Sequence, residues 1–364
     1  MTTTAPIPFA MVGCGDISAG HGRCATANGY RLAAVYNPTR SKASAFAAEW
    51  GDESTRVHDG FQAVCEDPAV SVVVIASPPH VHAEQVCAAL AAGKHVLCEK
   101  PAGLHPADCV RICAADEASA ASCAFFSSRL RHGGYTATAR RAIEAGRLGP
   151  IYRAEIRFAR VAHRPGIDWL AHAAWFTDRS RAGGGVLMDM GQYLLDQTLD
   201  LLGWPAVAHL LASTFQGFPH DLPPGRINDV EEQAAFLATL EGGIALSCDV
   251  AAMATHPPVH RITLLGRDGG LCIDHSGDEH RYSLVRVDSG TQLLEETPQF
   301  AAAAWETAGI YRAFAAHIDG AAPHPGTTSR QALQLSRICA LAYASAERGH
   351  GLTPDALEET PTCA

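Results

Sequence analysis

The chain lacks any apolar run long enough to cross a bilayer; the longest, such as Val72 to Ala76, have the length of a strand. It also lacks an excess of positive charge, since 28 Lys and Arg face 38 Asp and Glu for a formal net charge of −10. A nucleic-acid partner is therefore not expected, because phosphate recognition needs clustered cations. Met1 to Pro8 lacks a basic segment followed by an apolar stretch, so no secretory signal is expected. Cysteine is present 12 times but never in Cys-x-x-Cys spacing; the closest pair is Cys109 and Cys113. That pattern argues against a metal site or a disulfide framework. It predicts reduced, buried thiols in a cytoplasmic protein with no membrane partner.

What is present is a chain of 364 residues, 47% hydrophobic and 18% charged, too long for one ordinary core. Its first third alternates short β-rich runs with alanine-rich helical stretches. Strands are predicted at Phe9 to Val12, Arg31 to Tyr36, Val72 to Ala76, His95 to Cys98 and Cys123 to Ser127. Helices are predicted at Asp16 to Ala27, Lys42 to Trp50, Ala83 to Ala92 and Pro106 to Ala118. This rhythm implies right-handed βαβ units in a doubly wound parallel sheet. After Ser127 the rhythm changes. A helix over Tyr135 to Gly146 precedes an alternating strand from Ile151 to Arg160, and a long helix covers Gly185 to Leu202. Strands follow at Ala206 to Thr214, Val230 to Leu240, Gly243 to Ala251, His260 to Leu265 and Gly270 to Asp274, with two closing helices near Trp305 to Ile318 and Ser329 to Arg348. The expected class is α/β: a dinucleotide-type domain over 1–127 and an α+β domain over 128–364. The second has a mostly antiparallel open sheet, and its last helix is free to pack back on the first domain.

Gly13-Cys14-Gly15-Asp16-Ile17-Ser18 directly follows the first strand and opens the first helix. The first glycine permits the tight turn, and the second lets a pyrophosphate approach backbone amides at a helix N-terminus. The residue ending the second strand is Asn37 rather than an acid, and Arg40 follows. A neutral side chain with a nearby guanidinium tips the reading toward NADP, while Asn37 could equally bond the ribose hydroxyl of NAD. Ser77-Pro78-Pro79-His80-Val81-His82 follows the third strand. It reads either as a nicotinamide-side loop, with Ser77, Pro78 and His82 in contact, or as a proline-fixed turn. Lys100, between Glu99 and Pro101, stands just past another strand, where an ammonium group can meet a substrate oxygen and trade protons with it.

With these motifs go Glu144 to Gly149, Trp175-Phe176, the run Gly183 to Asp196, Asp229-Val230-Glu231 and Leu240 to Gly243. Together they resemble the Gfo/Idh/MocA oxidoreductase family along nearly the whole chain. The resemblance implies a Rossmann domain joined to a substrate domain whose open sheet often forms the oligomer interface, hence a homodimer or homotetramer. It implies a catalytic group of Lys100, Asp189 and the residue at 193. The commonest pattern has histidine there; this chain has Tyr193. Asp189 and Tyr193 are four apart and Asp196 three further, one stripe of an α-helix. A phenol with an ordinary pKa near ~10 needs a neighbouring cation to accept a proton at neutral pH, and Lys100 is the one available. Either Tyr193 or Lys100 carries the proton on this reading. The resemblance also implies that Glu99 and Lys100 border the cofactor. Arg129, Trp175, Asp189 and Asp196 are candidate substrate contacts, each with a packing role as the alternative. His163 and Arg164 lie on a loop that could shape substrate choice.

The expected activity is NAD(P)-dependent interconversion of a secondary alcohol and ketone on a sugar, polyol or aminocyclitol. Two other readings keep the fold: glycoside hydrolysis by transient oxidation with tightly held NAD, and a nucleotide-sensing regulator without catalysis.

Overall fold

A computed structural model describes residues 5–276, 279–288, 291–296, 300–301 and 307–357. The chain divides into two compact units, Met1–Arg129 with Glu306–Leu333, and Leu130–Trp305 with Gln334–Ala364.

The first unit is built on β1 (Ile7–Val12), α1 (Ser18–Ala27), β2 (Tyr30–Tyr36), α2 (Arg40–Trp50), β3 (Arg56–His58), α3 (Phe61–Glu66), β4 (Val72–Ile75), α4 (His82–Ala91), β5 (His95–Cys98), α5 (Pro106–Ala118) and β6 (Cys123–Phe125). Its six strands lie in the order β3-β2-β1-β4-β5-β6, every pairing parallel. Val72, Val73, Val74 and Ile75 are wholly buried, as a central parallel strand covered on both faces must be. One face packs Ala10, Val73, Ile75, Val96 and Cys98 with Val86, Leu90 and Ile112 from the helices. The other face packs Phe9, Met11, Leu32, Val74 and Leu97 with Ile310, Tyr311 and Phe314, which come from a helix late in the sequence (Thr307–Ile318). The short β3 and α3 were not foreseen: three residues of strand and six of helix are too few for hydrophobic periodicity to register.

The second unit contains α6 (Gly134–Glu144), β7 (Ile151–Ala159), α7 (Arg179–Ala182), α8 (Gln192–Leu202), β8 (Val207–Phe215), β9 (Gln233–Leu240), β10 (Ala245–Ala251), β11 (Val259–Gly266), β12 (Gly269–Asp274), β13 (Glu279–Asp288), β14 (Thr291–Glu296) and β15 (Phe300–Ala301). The strands run β14-β13-β12-β11-β7-β10-β9-β8, with β15 beside β13; β7 and β10 pair in parallel and the other pairs are antiparallel. The strand pair β13 and β14 was not anticipated. Alternation predicts one buried face, and β9 shows it: Ala234, Phe236, Ala238 and Leu240 are buried while Ala235, Leu237 and Thr239 are exposed. The buried face meets Leu194, Leu195 and Leu199 of α8 and Leu335, Ile338 and Leu341 of α10 (Ser329–Arg348). Helix Thr307–Ile318 is α9; Trp305, where the sequence reading began it, lies outside the described residues.

The long helix expected over Gly185 to Leu202 is not one α-helix. Leu187–Gly191 forms a π turn, and α8 begins only at Gln192. An inserted residue per turn changes which side chains share a face, so the α-helical stripe of Asp189, Tyr193 and Asp196 does not carry over unchanged. Asp189 is half-buried, Tyr193 is 4% exposed within the core, and Asp196 is fully buried.

Candidate active site

In the first unit, the carboxyl ends of β1, β2, β4 and β5 carry four predicted segments to one edge of the sheet. The strand order reverses direction between β1 and β4, the place where open α/β sheets bind ligands. Gly13 has φ +89°, and a side chain there would run into the backbone of Ala76 and Ser77, so glycine is what lets the two strand ends approach. Nothing lies within 4 Å of where a Gly15 side chain would start. Helix α1 has no side-chain cap and no acid in its first turn, and its Ser18 amide bonds the Gly15 carbonyl at 3.0 Å. Ser18, at the third glycine position of the motif, is 4% exposed and donates through Oγ to the Gly15 carbonyl at 2.6 Å. Open space at Gly15 and an uncapped helix start fit a dinucleotide pyrophosphate. Asp16 and Ile17 are exposed on the same loop.

Asn37 accepts the Cys14 amide at 3.0 Å and donates to the Thr39 carbonyl at 3.1 Å, so its side chain ties the end of β2 to the glycine loop. Burial pushes the Cys14 thiol up to about 12, which keeps it protonated. Arg40, exposed at the start of α2, is ion-paired with Asp59. Asp59 was not identified from the sequence; nothing in its neighbours distinguishes it from a solvated acid.

Ser77 donates to Gln85 Oε1 at 2.5 Å. His82 is 1% exposed, with Nδ1 2.7 Å from the Pro101 carbonyl and Nε2 2.7 Å from the Ser77 carbonyl. Burial lowers its pKa, though both carbonyls oppose the shift. His82 therefore fastens the loop after β4 to the segment after β5, and both ring nitrogens face those carbonyls. Lys100 lies two residues past the end of β5 and is half-buried. Its amide bonds the Glu99 carboxylate at 3.1 Å. Glu99 is 7% exposed and receives Arg129 Nη2 at 2.7 Å and His21 Nε2 at 3.1 Å, with Tyr311 Oη 3.1 Å from the other His21 nitrogen. Burial opposes ionisation of Glu99, but the Arg129 charge, the His21 bond and Lys100 outweigh it and hold the carboxyl well below the usual range. Arg129 and Glu99, expected at substrate and cofactor, thus face each other. His21 and Tyr311 were missed, since a histidine inside an alanine-rich helix carries no signal of what it will meet.

In the second unit, Gly183 has φ +81° and ends α7, while side chains at Gly184 and Gly185 would land on the Tyr343 hydroxyl and the Glu231 carbonyl. Asp189 lies on the π turn that follows, a feature that often marks functional positions. Asp196 receives Arg131 through both oxygens, at 2.6 and 2.7 Å, and Arg131 also reaches Asp200 at 3.1 Å. Both Asp196 oxygens thus accept from one guanidinium in a buried pair. Burial works against the Arg131 charge, but Asp196 and Asp200 raise its pKa. Trp175 is half-buried and stacks on Phe176, ring centroids 3.7 Å apart. Arg164 is anchored on Asp168 and Glu232, at 2.9 and 2.5 Å. His163 stacks on Trp169 at 5.1 Å, and burial lowers its pKa while Asp189 pulls it up.

The parallel sheet and its glycine loop define a dinucleotide-binding protein of Rossmann type. The sequence profile of the GFO/IDH/MocA oxidoreductase family, NAD-binding Rossmann fold, matches residues 7–125, and that family's C-terminal domain profile matches 136–272. The chain belongs to the Gfo/Idh/MocA family. It is 32% identical to the D-glucoside 3-dehydrogenase of Escherichia coli over 219 residues, 59% of each chain. It is 26% identical to the inositol 2-dehydrogenase of Rhizobium meliloti over 74% of this chain and 76% of the relative. The crystal structure of an oxidoreductase domain protein from Kribbella flavida shares the fold, with a TM-score of 0.81 at 21% identity over 96% of this chain and 99% of that one. The match thus spans about three-fifths of the Escherichia coli relative's length. Among the described residues, no helix is long and apolar enough to cross a membrane.

Proposed function

We propose that the protein is an NAD(P)-dependent dehydrogenase or reductase acting on a secondary alcohol or ketone of a sugar, polyol or aminocyclitol. The observation that carries the reading is Lys100. It stands at the carboxyl end of β5, on the sheet edge that also bears the glycine loop, with its backbone anchored to a buried, ion-paired Glu99. When bound, a nicotinamide dinucleotide supplies the hydride acceptor or donor. Gly13, Cys14, Gly15, Asp16 and Ile17 form the loop that would hold its pyrophosphate, with Asn37 and Arg40 toward the adenosine ribose and Ser77 and Pro78 toward the nicotinamide.

The chain's own contribution is position and proton transfer. As the substrate hydroxyl becomes a carbonyl its proton must leave the oxygen; in the reverse direction the oxygen must gain one. Tyr193 or Lys100 carries that proton, and Asp189 orients the amine or bonds a neighbouring hydroxyl. Arg40 is the group that would meet a 2′-phosphate, and Asp59 competes for it, so the choice between NADP and NAD turns on that pair. The enzyme would act in the cytoplasm, where its thiols stay reduced, as a homodimer or homotetramer through the open sheet.

The test is a screen of sugars, inositols and aminoglycosides with both coenzymes, read at the nicotinamide absorbance band. Turnover is expected with at least one polyol or sugar. In Lys100→Ala, coenzyme should still bind while kcat falls ~10²–10⁴-fold, the usual worth of a positioned acid or base. Near-normal kcat in the folded variant would remove Lys100 from the chemistry. Glycoside cleavage without net absorbance change would move the protein to the hydrolase reading.

A further inference from the structure

Glu231 lies in the short stretch Asp229-Val230-Glu231 before β9, far in sequence from the residues assigned to the reaction. It is 4% exposed, and three successive amides end on it. Gly185 N donates to Oε2 at 2.7 Å, Leu187 N to Oε1 at 3.0 Å, and Val186 N to the Glu231 carbonyl at 3.3 Å. Tyr343 Oη donates to the same Oε1 at 2.9 Å, and the Arg179 guanidinium lies over the Tyr343 ring at 5.0 Å. The approach is so close that a side chain at 185 would land on the Glu231 backbone, and one at 184 on the Tyr343 hydroxyl. Immediately beyond these amides the chain makes the π turn Leu187–Gly191, and the Asp189 amide bonds back to the Gly185 carbonyl at 2.9 Å.

A buried carboxylate in a weakly polar setting costs free energy unless donors surround it. Here the donors are the leading amides of the segment that bears Asp189 and Tyr193. Amides at the start of a helical segment have no partner within it, so whatever binds them sets where the segment begins. A start displaced by one residue would rotate every following side chain by about 100°, the turn angle of 3.6 residues per turn.

We propose that Glu231 is a positioning residue: its carboxylate and carbonyl set the start and the π register of the segment that aims Asp189 and Tyr193. The inference rests on the proposed function for what those two residues do, but the placement itself can be read without turnover.

Deuterium exchange of the full-length protein, resolved by peptide mass spectrometry, reports the amides of 185–195 directly. In Glu231→Gln, where an amide replaces one acceptor oxygen by a donor, exchange there should rise about tenfold or more, with peptides of the six-stranded sheet unchanged. The dissociation constant for NADH, followed by its fluorescence, should stay within about twofold. With a sugar or inositol that the wild type oxidises, kcat should fall ~10²-fold, as misplacement of reacting groups by about an ångström does. Glu231→Asp should restore part of it. Tyr343→Phe, which removes one donor from the same carboxylate, should move exchange and kcat in the same direction by a smaller factor. Unchanged exchange over 185–195 in both variants overturns the proposal, as does wild-type kcat in a variant whose exchange has risen. If the wild type oxidises no sugar or polyol, the functional reading falls, while exchange still decides whether Glu231 sets the turn.

Discussion

Arg129 Nη2 lies 2.7 Å from Glu99 Oε1, with the arginine side chain 4% exposed and the carboxylate side chain 9% exposed. Each charge offsets much of the cost of burying the other. Removing one partner of a buried pair leaves the other uncompensated, at a cost of about 3–5 kcal/mol.

Arg129→Met should therefore lower unfolding free energy by about that amount, measured by chemical denaturation at pH 7. Its pH dependence gives a second readout. In the wild type the Glu99 carboxyl is held below its ordinary value, so its contribution is present above the unfolded-state pKa, roughly 4.3, and is lost only as pH falls further. Without Arg129 only His21 and Lys100 oppose burial, so the folded-state value rises relative to wild type, and the variant's stability deficit should shrink as pH falls from 7 toward 3. A constant difference across that range would show that Glu99 does not depend on Arg129 for its charge.

Asp196→Asn should cost a similar ~3–5 kcal/mol, because Arg131 loses a two-pronged charged partner in a buried site while Asp200 remains. KM for the substrate should change little in the protein that remains folded. A large KM increase at unchanged stability would return Asp196 to the substrate.

Tyr193→Phe keeps the ring in the core and removes only the hydroxyl. If that oxygen carries the proton, kcat should fall ~10²–10⁴-fold. Tyr193→His should then recover part of the rate, with a pH dependence moved toward the imidazole range near ~6.5. Activity within a few-fold of wild type and an unchanged pH profile in Tyr193→Phe would hand the proton to Lys100.

Arg40 and Asp59 make opposite demands on the coenzyme. Arg40→Ala should weaken NADP about tenfold or more relative to NAD if the guanidinium meets the 2′-phosphate. Asp59→Asn should favour NADP by about two- to fivefold, since an exposed pair contributes only ~0.2–1 kcal/mol and that is what its loss releases. Equal effects on the two dissociation constants, by fluorescence titration, would show that neither residue discriminates.

Much of the fold was legible because its signals are local. The predicted helix Pro106 to Ala118 coincides with α5 as observed, and the run Val72 to Ile75 is the buried strand its composition implies. Burial on both faces requires unbroken apolar residues, and a sheet with one solvated face requires alternation; both patterns are written along the chain. The glycine loop was legible for the same reason, since a tight turn and a close approach each restrict the residue at one position. What a local pattern cannot carry is the identity of a distant partner. Glu99 and Arg129 are 30 residues apart, His21 and Glu99 78, and Gly185 and Glu231 46. Each side chain in these groups has several ways to satisfy its hydrogen bonds, and only the packed fold selects one. The π turn at Leu187–Gly191 shows the limit most clearly: the sequence reads there as a continuous α-helix by periodicity, whereas the Leu187 amide finds its acceptor in the Glu231 carboxylate, 44 residues away in the stretch before β9.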